Sequence, residues 1–212
     1  MPHRNNKIFF WHIPKTGGRW VLEALSRRYA RAGLSRVKRV QPEAKPLMLF
    51  GHHAPWDQVS EEFKRDRFHF CFVRHPLNWY KSWWSYRIRR NRSDKRHYAD
   101  RYHREDCDEF INVILDAHPK GFVTKLFKLY VGSGRMDCIG RTENLLVDLN
   151  EIMRRAGQSI RIPFDNLAPI NVSSALPEIA PRVVVSPATI ERVNTIEHWV
   201  LDMFYEGKGE IE

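Results

Sequence analysis

The chain has 212 residues, of which 42% are hydrophobic and 28% charged, and these fractions are typical of a globular protein rather than a disordered one. Its formal net charge of +10 indicates an anionic partner, or a basic surface that keeps the protein in solution. No apolar run approaches the ~18 residues that span a bilayer, and a strand-like segment begins at residue 7. We therefore predict neither a transmembrane segment nor a secretory signal.

Short apolar runs alternate with amphipathic segments, which is typical of β-α-β units and a parallel sheet. Strands are predicted at residues 7–13, 47–50, 68–73 and 136–141. Helices are predicted after Gly18, after Pro76, over 108–117 and 122–131, from Leu145 to a C-cap at Gly157, and as one final helix with Ser186 as N-cap and Gly207 beyond its end. Residues 89–106 are predicted to form a loop or an exposed helix, and residues 159–181 are predicted to form a loop. We predict a single three-layer α/β domain over residues 1–212, with a central, mostly parallel sheet.

The three cysteines are far apart and fit neither a disulfide framework nor a CxxC zinc pattern; they are Cys71, Cys107 and Cys138. Cys71 lies in an apolar run, which favours a core position. The ten histidines contain no pair at a metal-ligand spacing, so we predict no metal site and a reducing, cytoplasmic setting. Two basic stretches, residues 27–39 and 87–104, could bind an anionic molecule or be solvated surface.

The segment Pro14-Lys15-Thr16-Gly17-Gly18 joins the first predicted strand to the first predicted helix. Its glycines allow backbone N–H groups to approach a phosphate, and the helix N-terminus presents amides and a positive dipole end there. Lys15 adds a charge and Thr16 a hydroxyl donor. The lysine precedes the glycines, and no serine or threonine takes the magnesium position, so this is not a Walker A loop. The segment predicts a nucleotide-phosphate site without a metal; a tight turn with a solvated lysine is the alternative.

A second anion site is predicted at the end of strand 68–73, where Arg74 stands at the carboxyl edge of the sheet. An arginine is costly to bury there unless it meets an anion or a carboxylate. Ser82 follows eight residues later, inside the next helix, and could share a phosphate with Arg74. A surface serine is the alternative for Ser82.

Four segments together resemble the sulfotransferase superfamily, most closely its carbohydrate-type branch: IFFWHIPKTGGRW, GHHAPW, FCFVRHPLNWYKSWWSY and RTENL. That branch has a loop reading PKTGGT and a later motif reading VRxPxxRxxSxY. The resemblance covers residues 7–85 well and residues 141–149 weakly. It implies a P-loop-NTPase-like fold and the donor 3′-phosphoadenosine 5′-phosphosulfate (PAPS), with adenosine 3′,5′-bisphosphate (PAP) as product. It also implies an acceptor hydroxyl or amine on a small molecule or glycan, and the basic stretch 87–104 could bind an acidic acceptor.

The resemblance also implies roles for individual residues. Lys15, Thr16, Gly17 and Gly18 match the cradle for the 5′-phosphosulfate, with Lys15 also stabilising the leaving phosphate, and Arg74 and Ser82 match the pair that holds the 3′-phosphate. His52 falls where this branch places its catalytic base, and His53 is its close competitor. Arg19 and Trp20 complete the cofactor-binding candidates, although the family usually has a threonine and a small hydroxyl residue at these positions. Trp79 and Trp84 likewise replace a frequent arginine and a tyrosine.

Five aromatic residues follow Pro76 at helical spacing, and core packing is favoured over stacking on adenine or a sugar. They are Trp79, Tyr80, Trp83, Trp84 and Tyr86. Glu143 and Asn144 stand at a predicted helix start, which favours a structural role.

Two other function classes are open from the residues alone. A P-loop-like kinase or other phosphotransferase would need a magnesium-binding side chain beside the loop, which the sequence does not offer. A non-enzymatic nucleic-acid-binding protein could use the basic stretches and aromatic residues, although we expect no stable nucleic-acid partner.

Overall fold

The structure is a computed structural model that describes residues 8–31, 55–89, 104–131, 134–158 and 177–205, together with Tyr102. Contacts within the chain divide it into two units. The sheet unit comprises Met1–Val73 with Leu129–Ile170, and the helical unit comprises Arg74–Lys128 with Asn171–Glu212.

The sheet unit contains three parallel strands in the order β1-β2-β3, so β2 is central. The strands are β1 (Ile8–Trp11), β2 (Phe68–Val73) and β3 (Cys138–Arg141). The last residue of β1, Trp11, pairs with Cys71, and Val73 pairs with Arg141. The carboxyl ends of the strands therefore lie at one edge of the sheet, where parallel α/β sheets bind their ligands.

Helices of the sheet unit pack on the face of β2 that carries Phe70 and Phe72. They are α1 (Gly18–Arg31) and α6 (Leu145–Arg155), and the short helix α2 (Glu61–Lys64) precedes β2. On the opposite face, Trp56 from a 3₁₀ turn stacks on Trp11 with ring centroids 4.9 Å apart. Coverage of both faces explains why β2 is apolar on both faces except at His69, rather than alternating between apolar and polar residues. The α/β class and the parallel sheet are confirmed.

The helical unit contains α3 (Pro76–Arg89), α4 (Cys107–Ala117), α5 (Phe122–Val131), α7 (Pro187–Ile196) and α8 (His198–Phe204). Helix α5 ends three residues beyond the boundary between the units. Local capping chemistry defines two of these helices well: the Asp106 side chain accepts from the Glu109 amide, and that of Ser186 accepts from the Thr189 amide.

Most predicted elements of the described chain are present with small changes at their ends. The first strand is shorter than predicted, and β3 begins at Cys138 rather than at residue 136. Gly157 has a φ of +68°, as expected of a residue that ends a helix in the left-handed region. The predicted strand 47–50, Gly207, and most of the stretches 89–106 and 159–181 lie outside the described residues.

The prediction of one continuous final helix is wrong. The helix that begins at Pro187 ends at Ile196, and α8 begins at His198 after a break at Glu197. The Glu197 side chain is fully buried and accepts hydrogen bonds from another part of the helical unit. The sequence does not reveal this break, because the helical periodicity is the same on both sides of Glu197. The buried contacts that accompany the break involve residues far away in the chain.

Candidate functional site

The loop after β1 leads directly into α1, and its backbone is arranged to present amide groups. The Gly17 carbonyl accepts hydrogen bonds from the amides of Trp20 and Val21, so Gly17 caps the helix. The amides of Gly18 and Arg19 fall in the first turn, where an α-helix offers them no acceptor. Lys15 and Gly17 both have positive φ values, +66° and +76°. When residues at alternate positions are left-handed, successive backbone N–H groups point to the same side and form a concave surface that can bind an anion.

Both glycines of this loop pack closely against neighbouring side chains. A Cβ atom on Gly17 would lie 2.7 Å from Cδ1 of Leu145, the first residue of α6. A Cβ atom on Gly18 would lie 1.8 Å from Cδ2 of His12. The loop is therefore packed between a leucine side chain and a histidine ring, and a larger residue at either glycine would force one of these side chains or the loop itself to shift.

Lys15 is half-buried, and it is one of two non-glycine residues with positive φ in the described chain. Thr16 is fully buried, and its hydroxyl donates to the Ile13 carbonyl at 2.9 Å. The predicted role of the Thr16 hydroxyl as a phosphate donor therefore competes with a bond that it already makes within the loop. The structure favours Thr16 as the residue that shapes the loop.

Arg19 and Trp20 occupy opposite environments. The Arg19 side chain is exposed at the first turn of α1, whereas Trp20 is 7% exposed and belongs to the hydrophobic core between α1 and the sheet. The Trp20 amide donates to the Gly17 carbonyl at 2.9 Å. The backbone amide and the ring of Trp20 thus have structural partners, and Arg19 is the one of the two whose side chain is exposed.

The segment after β2 begins α3 in a comparable way. Arg74 directly follows the last residue of β2, the His75 carbonyl accepts from the Trp79 amide at 2.8 Å, and Pro76 takes the first helical position. Arg74 and Ser82 are both half-buried in the helical unit. The neighbouring Ser85 donates its hydroxyl to the Lys81 carbonyl along the same helix.

The helix N-termini of this protein fall into two groups by charge. Helices α2, α4 and α6 carry acidic residues in their first turns, which is the usual stabilising arrangement. Helices α1, α3, α5, α7 and α8 carry none. Two of these also have a cation close by: Arg19 lies in the first turn of α1, and Arg74 precedes the cap of α3. Positive charge at these two N-termini opposes the helix dipole, and a bound anion would reverse that cost.

Helix α5 shows within this molecule what such an N-terminus can bind. It also lacks an acid in its first turn, and the buried carboxylate of Glu197 lies at its N-terminal amides instead. The amides of Val123 and Thr124 donate to the two Glu197 oxygens at 3.0 and 2.7 Å. The Thr124 hydroxyl and the Tyr80 hydroxyl donate to the same carboxylate at 2.7 and 2.5 Å. Sequence analysis did not single out Glu197, because nothing near it in the chain distinguishes it from a surface glutamate.

A scan against models of protein families matches residues 2–192 to the sulfotransferase family. The chain belongs to the sulfotransferase family. No curated protein and no solved structure matched it in two further comparisons. Family membership makes the protein an enzyme of sulfuryl transfer, with PAPS as the donor and a second molecule as the acceptor.

The loop after β1 has the chemistry that this family assignment requires of a donor site. An anionic donor requires amides and cations without carboxylates, and the described loop supplies the amides of Gly18 and Arg19 beside Lys15. Among the described residues of this sulfotransferase, no group of three His, Cys, Asp or Glu side chains could hold a metal ion. In the same part of the chain, no helix has the length and hydropathy to cross a membrane.

The candidate bases His52 and His53 lie outside the described residues, and the description resumes with Pro55 and Trp56. The Trp56 ring stacks on Trp11 and meets the edge of the His69 ring at 5.1 Å. The Lys64 ammonium and the Arg135 guanidinium lie 5.0 and 5.5 Å from the centre of the Trp56 ring. The chain that follows the candidate bases is thus anchored to the sheet four residues after His52.

His69 joins this anchor to the sheet through both ring nitrogens. Trp11 Nε1 donates to Nδ1 at 3.0 Å, which leaves Nε2 as the protonated nitrogen that donates to the Lys64 carbonyl at 2.7 Å. Burial lowers the pKa of His69 below its ordinary value. The hydrogen bond to the Lys64 carbonyl and the negative charge of Asp137 oppose this effect and raise the pKa. The structure therefore indicates a neutral histidine with one defined tautomer.

Four of the aromatic residues after Pro76 are core residues, as the favoured interpretation predicts. Trp79, Tyr80, Trp83 and Trp84 are at most 4% exposed, and Tyr86 is half-buried. The three cysteines are also buried and carry free thiols, and burial raises the pKa of Cys107 to about 12. Glu143 and Asn144 lie exposed in a 3₁₀ turn that precedes α6.

Proposed function

We propose that this sulfotransferase binds PAPS through two anion sites, one at the N-terminus of α1 and one at the N-terminus of α3. Lys15, Thr16, Gly17, Gly18 and the adjoining amides hold the 5′-phosphosulfate, while Arg74 and Ser82 hold the 3′-phosphate. One observation carries the proposal: Arg19 in the first turn of α1 and Arg74 just before the cap of α3 put positive charge at two helix N-termini that have no acid, whereas three other helices have acids in their first turns. Such a charge pattern lowers helix stability unless an anion is bound.

Lys15 has the chemical role that the transfer requires of this loop. When the bond between the sulfuryl group and the phosphate breaks, negative charge grows on the leaving phosphate oxygen. An ammonium group held beside that oxygen stabilises the charge, and the loop amides hold the phosphate in place. The half-buried position of Lys15 supports this role, because a partly desolvated cation interacts more strongly than an exposed one.

The acceptor proton needs a base, and His52 is our first choice for it, with His53 as the alternative. An imidazole titrates near pH 6.5, so it accepts a proton at neutral pH without further tuning. The Trp56 ring, four residues after His52, is anchored to Trp11 and His69 of the sheet unit, which restricts where the chain that carries both histidines can lie. Transfer assays on His52→Ala and His53→Ala separate the two: the base variant loses turnover, whereas the other keeps it.

The acceptor that we propose is a hydroxyl or amine of a small molecule or glycan. The net charge of +10 favours acidic members of these classes, since it attracts anions over several ångströms. A screen of acceptor classes with labelled PAPS tests this directly. Preferential transfer at low salt to neutral rather than acidic acceptors would contradict the preference for acidic members of these classes.

Donor binding is tested by thermal unfolding in the presence of PAP. We expect PAP to stabilise the fold by about 2.7 kcal/mol at 100 times its dissociation constant, equally with and without magnesium. The matched control is ATP with magnesium, which should stabilise much less. Stabilisation by ATP and magnesium alone would contradict the proposed donor site and favour a phosphotransferase.

A further inference from the structure

The RTENL segment, residues 141–145, connects β3 to α6 through a turn that contains a threonine with a specific partner. Thr142 follows the last residue of β3, and its hydroxyl donates to the Val73 carbonyl at 2.8 Å. Val73 is fully buried and is the last residue of β2. This bond therefore extends the pairing of β2 with β3 beyond its last pair, Val73 with Arg141, and uses a side chain as the donor.

The position of Thr142 is itself well determined. The amide of Arg141 donates to Asp148 Oδ2 in α6 at 2.6 Å. One residue earlier, a Cβ atom on Gly140 would lie 2.4 Å from the Phe72 ring, so β3 lies against β2 as closely as a glycine permits. These contacts hold the end of β3 from both sides, and they give the Thr142 hydroxyl little freedom to leave the Val73 carbonyl.

The Val73 carbonyl belongs to the peptide group that joins β2 to Arg74. A peptide group is planar, so fixing its carbonyl oxygen also fixes its N–H and the direction in which the next Cα leaves the strand. Arg74 has a long side chain, and a small rotation of that peptide is amplified at the guanidinium. The hydroxyl also covers a carbonyl oxygen that would otherwise present partial negative charge beside an anion site.

We infer that Thr142 is a positioning residue for donor binding: its hydroxyl holds the Val73–Arg74 peptide so that Arg74 meets the 3′-phosphate. This inference rests on the proposed function, in which Arg74 binds that phosphate. Thr16 makes a comparable bond to the Ile13 carbonyl after β1. In both segments a threonine hydroxyl binds a backbone carbonyl close to where a strand ends.

The test compares Thr142→Val and Thr142→Ala, which remove the hydroxyl, with Thr142→Ser, which keeps it. Loss of one hydrogen bond predicts that the dissociation constant for PAP and the KM for PAPS rise about tenfold in the first two variants. We expect kcat to change less than twofold and Thr142→Ser to restore the affinity. The matched control is Thr195→Val, which removes a hydroxyl bound to the Glu191 carbonyl in α7 and should leave PAP affinity unchanged.

A double-mutant cycle with Arg74→Ala separates the inference from the proposed function on which it rests. If Thr142 acts through Arg74, Thr142→Val weakens PAP binding in the wild-type background and has no further effect in Arg74→Ala. Unchanged PAP affinity in Thr142→Val, or a full additive loss in the double variant, would overturn the inference. Normal PAP affinity in Arg74→Ala would instead overturn the proposed 3′-phosphate site.

Discussion

Lys15 combines a charge that the transfer reaction needs with a backbone conformation that disfavours any side chain. Its φ of +66° lies in the left-handed region, where a Cβ atom costs about 1 kcal/mol relative to glycine. Unfavourable backbone conformations of this kind persist at functional sites because the surrounding structure enforces them. The conformation of the loop around Lys15 is supported in this way, since Leu145 packs closely against Gly17 and His12 against Gly18.

Substitution of Lys15 should therefore separate stability from activity. We predict that Lys15→Ala and Lys15→Gly both lower turnover by about a hundredfold or more, because each removes a preorganised charge. The glycine variant should be more stable than the alanine variant by about 1 kcal/mol, since it relieves the left-handed strain. Denaturant unfolding and a PAPS turnover assay measure the two effects.

Asp66 provides the matched control for Lys15, because it is the other non-glycine residue with positive φ in the described chain and it is exposed. Asp66→Gly should likewise be more stable than Asp66→Ala, with turnover unchanged in both. Loss of turnover in Asp66→Gly or Asp66→Ala would show that turnover responds to substitution at positive φ outside the loop, which would contradict the assignment of the Lys15 effect to its charge.

The N-terminus of helix α1 carries a charge that lowers the stability of the helix but favours the binding of an anion. Its N-terminal turn carries Arg19 and no acid. We predict that Arg19→Glu stabilises the unliganded protein by about 0.5 kcal/mol, because an acid complements the helix dipole. The same change should reduce the stabilisation that PAP provides. Thermal unfolding with and without PAP measures both effects.

Lys125→Glu is the charge-matched control for Arg19→Glu. Lys125 is exposed on α5, so its substitution alters the net charge of the protein by the same amount. PAP should stabilise this variant as it does the wild type. A comparable reduction in Lys125→Glu would show that the overall charge, not the N-terminus of α1, attracts the donor.

The junction of α7 with α8 depends on a buried carboxylate that binds the start of α5. Glu197 accepts from two amides and two hydroxyls, and glutamine has only one oxygen to offer these donors. We predict that Glu197→Gln lowers the free energy of unfolding by about 2–4 kcal/mol. Tyr80→Phe removes one donor and should cost less, about 1–2 kcal/mol. Equal stabilities of Glu197→Gln and the wild type in urea would show that the network does not hold the junction.

The stability of the whole molecule should depend on pH through His69. Burial lowers its pKa in the folded state, so the unfolded chain binds a proton at a higher pH than the folded protein does. The stabilising contribution is therefore present above the ordinary value of 6.5 and is lost as pH falls below it. We predict that the free energy of unfolding decreases between pH 7.5 and 5, by at most about 1.4 kcal/mol per pH unit from this group.

His69→Gln is the comparison for the pH dependence, because glutamine keeps polar atoms at this position and does not titrate. Urea unfolding of both proteins at several pH values isolates the contribution of His69 from that of the other histidines. The difference in stability between wild type and variant should shrink as pH falls. A difference that stays constant from pH 7.5 to 5 would contradict the assignment of a neutral, buried His69.

The sequence by itself determined the α/β class, strand 68–73, the start of α3 at Pro76 and the glycine loop that resembles a sulfotransferase cradle. Each of these follows from residues close together in the chain: an apolar run, a proline at a first helical position, or a short motif. Ser186 as an N-cap belongs to the same group, since its partner, the Thr189 amide, is three residues away.

Only the tertiary structure decided how the individual side chains are used. Tyr80 binds Glu197 across 117 positions, Thr142 binds Val73 across 69 and Trp11 binds His69 across 58. No local pattern reports such partners, because burial and hydrogen bonding at these residues depend on which elements the fold brings together. For the same reason, the break at Glu197 and the core position of Trp20 required the packed structure.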